Sequence, residues 1–199
     1  MRITSKLPLS APNRVVLRSK ITPPLIHVDM QARSRLLTKI SDFTNTSLLV
    51  IQAPAGYGKT TLLKQLYHQL SDENYSLAWL SIYHTENDPL RFLAHVSAAF
   101  GVLSPDLNTE MEPYFSATPA YPVSEVLSAL LRCLTLFSQE VVIALDDYHE
   151  INRSDVHQVF CEFLTALPAN IHCLMASRVL PDIDFSALTL AGKAEIIEN

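Results

Sequence analysis

Residues 53–61, APAGYGKTT, hold the densest chemistry in this sequence. Gly58, Lys59 and Thr60 form the closing end of the phosphate-loop pattern G-x-x-x-x-G-K-[ST], with Ala53 where the pattern has its first glycine. A triphosphate concentrates several negative charges in a small volume. A loop of small residues can turn its backbone N–H groups inward around such a group, and the helix start that follows adds its dipole. Ala53, Pro54, Ala55 and Tyr57 complete the loop, while Gly56 and Gly58 permit backbone angles closed to other residues. Lys59 supplies a mobile cation for the β and γ phosphates. The Thr60 hydroxyl suits a hard cation such as Mg²⁺, and Thr61 is placed for the α-phosphate. Two of the chain's four glycines fall in this one loop.

A second group lies downstream. Residues 141–147, VVIALDD, are an apolar run ending in two carboxylates. In open α/β sheets ligands sit at the carboxyl ends of strands, so Asp146 is expected to face the Mg²⁺ held by Thr60. Asp147 is placed to orient or activate a water. Arg178 follows another apolar run and can sense a γ-phosphate through charge-assisted hydrogen bonds. The plain alternatives are a solvated strand end for the two aspartates and a surface arginine or an ion pair for Arg178. His149 reads as a packed histidine with one hydrogen bond, or as a group supporting the acidic pair. Trp79 reads as core, and Ser177 carries no clear assignment.

These residues need elements to position them. Residues 47–53 (SLLVIQA), 75–82 (YSLAWLSI), 141–145 (VVIAL) and 171–177 (IHCLMAS) are short apolar runs suited to strands buried on both faces, and 194–197 adds a fifth. Helical spacing marks residues 29–40, 59–70, 88–100, 124–137 and 154–167. Asp88 is a candidate cap ahead of Pro89, and Ser124 is a candidate cap for its helix. Residues 104–122 contain four prolines and read as a long surface connection. Strands alternating with helices give an α/β fold: a doubly wound, mainly parallel five-stranded sheet with helices on both faces. Residues 1–28 read as an irregular arm and 29–199 as the nucleotide domain.

Bulk properties narrow the field. The chain has 199 residues, 48% hydrophobic content and a formal net charge of −5. Lys and Arg form no run, so a nucleic-acid backbone has no concentrated basic face to meet. Cys133, Cys161 and Cys173 are far apart and set in apolar surroundings, which suggests reduced core thiols and a cytoplasmic protein. No stretch reaches the ~18 apolar residues of a membrane span, and residues 1–20 have no signal-peptide core.

Taken together, SKITPP (19–24), ARSRLLTKI (32–40), APAGYGKTTL (53–62), WLSIYHTENDPLRFL (79–93), VVIALDDYHEI (141–151) and ASRVLP (176–181) resemble one family. It is the N-terminal nucleotide-binding domain of the MalT-type, LuxR-family ATP-dependent transcriptional regulators, within the STAND class of signalling ATPases. The resemblance implies ATP as the nucleotide and a switch that self-associates in its ATP state and is reset by slow hydrolysis. It places Lys59, Thr60 and Asp146 on MgATP, Asp147 in hydrolysis and Arg178 at the γ-phosphate, with Arg33 or Arg35 bordering the nucleotide. Family members are several times longer and carry winged-helix, helical-repeat and helix-turn-helix DNA-binding regions. The expectation is therefore a fragment or stand-alone nucleotide domain that makes no DNA contact itself. The alternative is an autonomous P-loop ATPase or small kinase, against which the absence of Arg and Lys from residues 104–122 counts.

Overall fold

The computed structural model describes residues 16–24, 46–183, 185–190 and 192–198. The helix expected over 29–40, with Arg33 and Arg35, lies outside the described residues, as does the arm before Val16. The strands are β1 (Leu48–Gln52), β2 (Ser76–Ser81), β3 (Val141–Asp146), β4 (Ile171–Ser177) and β5 (Ala194–Glu198). The helices are α1 (Lys59–Asp72), α2 (Pro89–Phe100), α3 (Pro105–Ser116), α4 (Val123–Leu134), α5 (Ser154–Ala166) and the short α6 (Phe185–Leu190). The five strands form one sheet in the order β2-β3-β4-β1-β5, and every pairing is parallel.

Alternation along the strands splits the apolar residues between two cores. Leu49 and Ile51 of β1, Val142 and Ala144 of β3, and Leu174 and Ala176 of β4 meet one stripe of α1, made of Leu62, Leu63, Leu66 and Leu70. Trp79 belongs to this side. It is 1% exposed, with its ring edge-on to Tyr67 and its indole N–H donating to the Ser81 hydroxyl at 2.9 Å. The other residues of the same strands face the larger core under α2, α3, α4 and α5. A strand buried on both faces has no polar side to show, which is why these segments read as unbroken apolar runs.

Two expectations about elements are corrected. Residues 104–122 are not an open connection, because most of them form α3. Pro105 stands in the first turn, where a missing N–H costs nothing, while Leu107, Met111 and Phe115 recur every fourth residue and are buried. The four prolines, Pro113 inside the helix among them, hid that stripe. Ser124 does not cap α4. The helix starts at Val123 after an extended Pro122, and Ser124 lies within the first turn. Asp88 does cap α2, with its carboxylate accepting the Arg91 N–H at 2.8 Å.

If α3 is part of the core, Met111→Ala leaves a cavity and should cost about 2–4 kcal/mol in urea unfolding. A loss under about 0.5 kcal/mol, the usual effect at a surface position, would count against the helix and its packing.

Candidate functional site

The parallel register brings the ends of four strands together. Gln52 of β1 pairs with Ser177 of β4, and Ser81 of β2 pairs with Asp146 of β3. The chain leaves β1 through the 53–58 loop, whose first N–H, on Ala53, donates to the Ser177 carbonyl at 3.2 Å. Gly56 and Gly58 have φ of 83° and 74°, the left-handed region that only glycine enters freely. A β-carbon at Gly56 would meet nothing within 4 Å, so the requirement there is backbone conformation, and the space above the loop is open. Gly58 leads directly into α1, which has no side-chain cap, so the first N–H groups of a 14-residue helix remain available to an anion.

Lys59 is folded into this loop. It is 7% exposed and its ammonium donates to the Pro54 carbonyl at 2.9 Å. Burial and the neighbouring Arg178 push its pKa down, and Asp147 and Asp146 pull against them. At the next residue, the Thr60 hydroxyl donates to Asp146 Oδ1 at 3.0 Å. That bond joins the start of α1 to the end of β3, 86 positions apart. A threonine hydroxyl and a carboxylate side by side, next to an anion-binding loop, suit Mg²⁺, which takes few protein ligands and completes its shell from phosphate and water.

Asp146 is 4% exposed, and its pKa is pushed up to about 6. Burial is the main cause and the adjacent Asp147 charge the second. The Thr60 hydroxyl, the Asp147 N–H at 3.1 Å and Lys64 act in the opposite direction. Asp147 itself adopts φ 58°, ψ 40°, a left-handed conformation that Asp tolerates better than most residues. This turns the chain sharply out of β3 into the 3₁₀ turn Tyr148–Glu150 and leaves the Asp147 side chain 46% exposed, within electrostatic reach of Lys59 and His149.

Arg178 is exposed and acts as a like charge on both Lys59 and His149, which places it beside the loop. Ser177 serves the turn: it is fully buried, and its hydroxyl donates to the Val179 carbonyl, bending the chain around Arg178. The structure therefore gathers Lys59, Thr60, Asp146, Asp147 and Arg178, and the loop Ala53, Pro54, Ala55, Gly56, Tyr57, Gly58 with Thr61, at one edge of the sheet. His149 departs from expectation. It packs, but neither ring nitrogen has a hydrogen bond.

Sequence reasoning missed one polar cluster near this edge. Glu86 is fully buried and accepts from the Lys20 ammonium at 2.7 Å, the Thr85 hydroxyl at 2.8 Å and the Tyr83 N–H at 2.7 Å. His95 Nε2 stands 3.3 Å from the same carboxylate. Burial works to raise the Glu86 pKa, but Lys20 and these other partners outweigh it and hold the carboxyl below its ordinary value. The cluster ties the 16–24 segment to the turn after β2. Its only trace in the sequence is a Lys and a Glu 66 positions apart, which no local pattern links.

Strand order and loop define the class. With β4 between the strand that carries the glycine loop and the strand that ends in Asp146, the fold is that of a P-loop nucleoside triphosphatase. The chain belongs to the AAA ATPase domain family, whose model matches residues 31–175. Over 174 residues it is 30% identical to the HTH-type transcriptional regulator MalT of Yersinia enterocolitica, covering 87% of this chain and 19% of that protein. The match to the MalT of Serratia proteamaculans has the same identity and coverage. The chain thus spans about a fifth of the length of these relatives. Among solved structures, it is similar in fold to Cdc6p from Pyrobaculum aerophilum, with a TM-score of 0.61 at 14% identity over 90% of this chain and 49% of that one. It is also similar to the Aeropyrum pernix ORC1 protein, with a TM-score of 0.51 at 17% identity over 74% of this chain and 38% of that one.

The raised Asp146 pKa has a consequence for stability. Between about pH 4, where an unfolded carboxyl titrates, and about pH 6, the folded chain holds a proton that the unfolded chain has released. Folding stability therefore falls as pH rises through this window and stays lowered above it. In chelator with no nucleotide, Asp146→Asn should be more stable than the native chain by about 1–3 kcal/mol at pH 7.5, the advantage disappearing by about pH 4. Chemical unfolding at several pH values checks this, and an advantage that does not change with pH would contradict the burial account.

Proposed function

We propose that this chain binds MgATP and hydrolyses it slowly, as the switch domain of a MalT-like transcriptional regulator. The observation that carries the reading is the Thr60–Asp146 hydrogen bond, which sets a magnesium-type ligand pair against a helix start that already carries Lys59. On this reading residues 53–61 wrap the phosphates, and Lys59 exchanges the Pro54 carbonyl for phosphate oxygens. Thr60 and Asp146 hold Mg²⁺, which when bound offsets negative charge on the β and γ phosphates. Asp147 orients the attacking water, and Arg178 reads the γ-phosphate.

Slow turnover follows from the openness of the two groups nearest that phosphate. Asp147 is half exposed and Arg178 exposed, so water is not excluded and their charges act through a high dielectric. Turnover then depends on closure by another surface, which is the behaviour of a switch. We assign inducer recognition, DNA contact and the surface for self-association in the ATP state to no described residue. A formal net charge of −5 with no basic run suits that division of labour.

Calorimetry on the native chain and on Lys59→Ala tests the proposal. The native chain should bind ATP more tightly with Mg²⁺ than without, the variant should bind at least about tenfold more weakly, and turnover should stay below roughly 1 s⁻¹. A folded native chain that takes up no nucleotide would end this reading, and turnover at ordinary enzyme rates would replace the switch with an autonomous ATPase.

A further inference from the structure

A cleft of about 470 Å³ opens between α3 and α4, on the face of the sheet opposite α1. No residue of the phosphate loop or the acidic pair lines it. Its volume falls in the range of small-molecule pockets. Leu107 of α3 and Cys133 of α4, both buried, form the floor. Leu136, just past α4, stands at the rim 83% exposed, an apolar wall that nothing covers.

The packing of α3 builds the cleft. Asn108 Nδ2 donates to the Gly101 carbonyl at 2.9 Å, and a β-carbon at Gly101 would overlap that amide, so the end of α2 carries the residue that lets α3 come this close. Leu107, Met111 and Phe115 bury the inner face of the same helix. Held in this way, α3 lines the cleft with Asp106 and Glu110, one turn apart. One end is closed where Arg132 Nη2 of α4 donates to the Tyr114 hydroxyl of α3 at 3.3 Å. Beyond that bond lies a separate recess of about 230 Å³. Residues 104–110, which run along the cleft, span roughly 9 Å of helix. A docked helix needs a longer groove, with anchors spread over i, i+3, i+4 and i+7. A short cleft with a closed end suits a small molecule.

Charge selects the kind of molecule. Neither Asp106 nor Glu110 has an ion-pair partner among the described residues. Arg132 is the one cation that lines the cleft, and its guanidinium is engaged by Tyr114. Both signs are felt at the floor: burial and Glu110 push the Cys133 thiol up, and Arg132 pulls it down. Two carboxylates against one guanidinium leave the cleft negative.

We propose that the cleft between α3 and α4 binds a small organic cation, its ammonium between the Asp106 and Glu110 carboxylates and its apolar body on Leu107, Cys133 and Leu136. The site is separate from the nucleotide reading and stands or falls without it.

Three probes of one shape and different charge test this: phenylbutylamine, phenylbutanol and phenylbutyrate. Each is titrated to about 5 mM, at pH 7 and low salt, into the ¹⁵N-labelled 199-residue chain, and amide shifts give both affinity and place. The amine should shift amides of residues 104–110 and 129–137, and bind about three- to tenfold more tightly than the alcohol, with the butyrate weakest. Asp106→Asn with Glu110→Gln, both at exposed positions, should bring amine and alcohol to within about twofold of each other. Leu136→Ala should weaken amine and alcohol alike, by about two- to fivefold. The spectra of both variants report that the fold is kept. No shift in these two segments with any probe overturns the proposal, as does an amine preference that survives loss of both carboxylates. Equal binding of all three probes in the native chain also overturns it, and would leave an apolar face suited to a protein partner.

Discussion

Asp146 brings a carboxylate to a place where 4% of its surface meets water, directly beside a second carboxylate. Ionising it there is unfavourable, and the surrounding chain is arranged to lower that cost. The Thr60 hydroxyl and the Asp147 N–H donate to it, and Lys64 adds positive charge nearby. None of these suffices, since its pKa stays near 6. A site left short of positive charge at neutral pH is suited to a cation, and the helix start and Lys59 beside it are suited to an anion. The two needs are met together by a metal-bound phosphate chain.

The rest of the fold serves this geometry. Five parallel strands, of which β1, β3 and β4 are buried on both faces, align their carboxyl ends to within a residue of one another, and β4 separates the loop strand from the acidic strand. α1 covers one face and presents Thr60 at its first turn, while α2 to α5 fill the larger core on the other. The short Tyr148–Glu150 turn after β3 is anchored by the fully buried Tyr148. Its attachment through Asn87 adds to this, linking the turn after β2 to the residues next to the site.

The Lys20–Glu86 pair extends the same support outward. A fully buried carboxylate with three donors would be strongly destabilised by losing its cation, so the pair anchors the 16–24 segment to the body of the domain. The Lys20 ammonium also lies 4.5 Å from the centre of the half-exposed Tyr83 ring, which gives the contact a second component. Residues at the start of the chain thereby bear on the same edge of the sheet that holds the candidate site.

The amino-acid sequence alone determined the strand-forming runs, the loop after the first of them, the alternation of strands with helices and the two carboxylates at the end of β3. These are local properties: apolar runs, turn chemistry and a helix start are written in adjacent residues. Trp79 and the Asp88 cap were legible for the same reason. Tertiary structure decided what depends on distance. Leu107, Met111 and Phe115 form a helical stripe only once packing outweighs the prolines around them. Thr60 meets Asp146, and Lys20 meets Glu86, only because the parallel register and the folded 16–24 segment carry residues 86 and 66 positions apart into contact. The unpaired ring of His149 was likewise invisible, since burial and partnership belong to the packed chain and not to any one residue's neighbours in sequence.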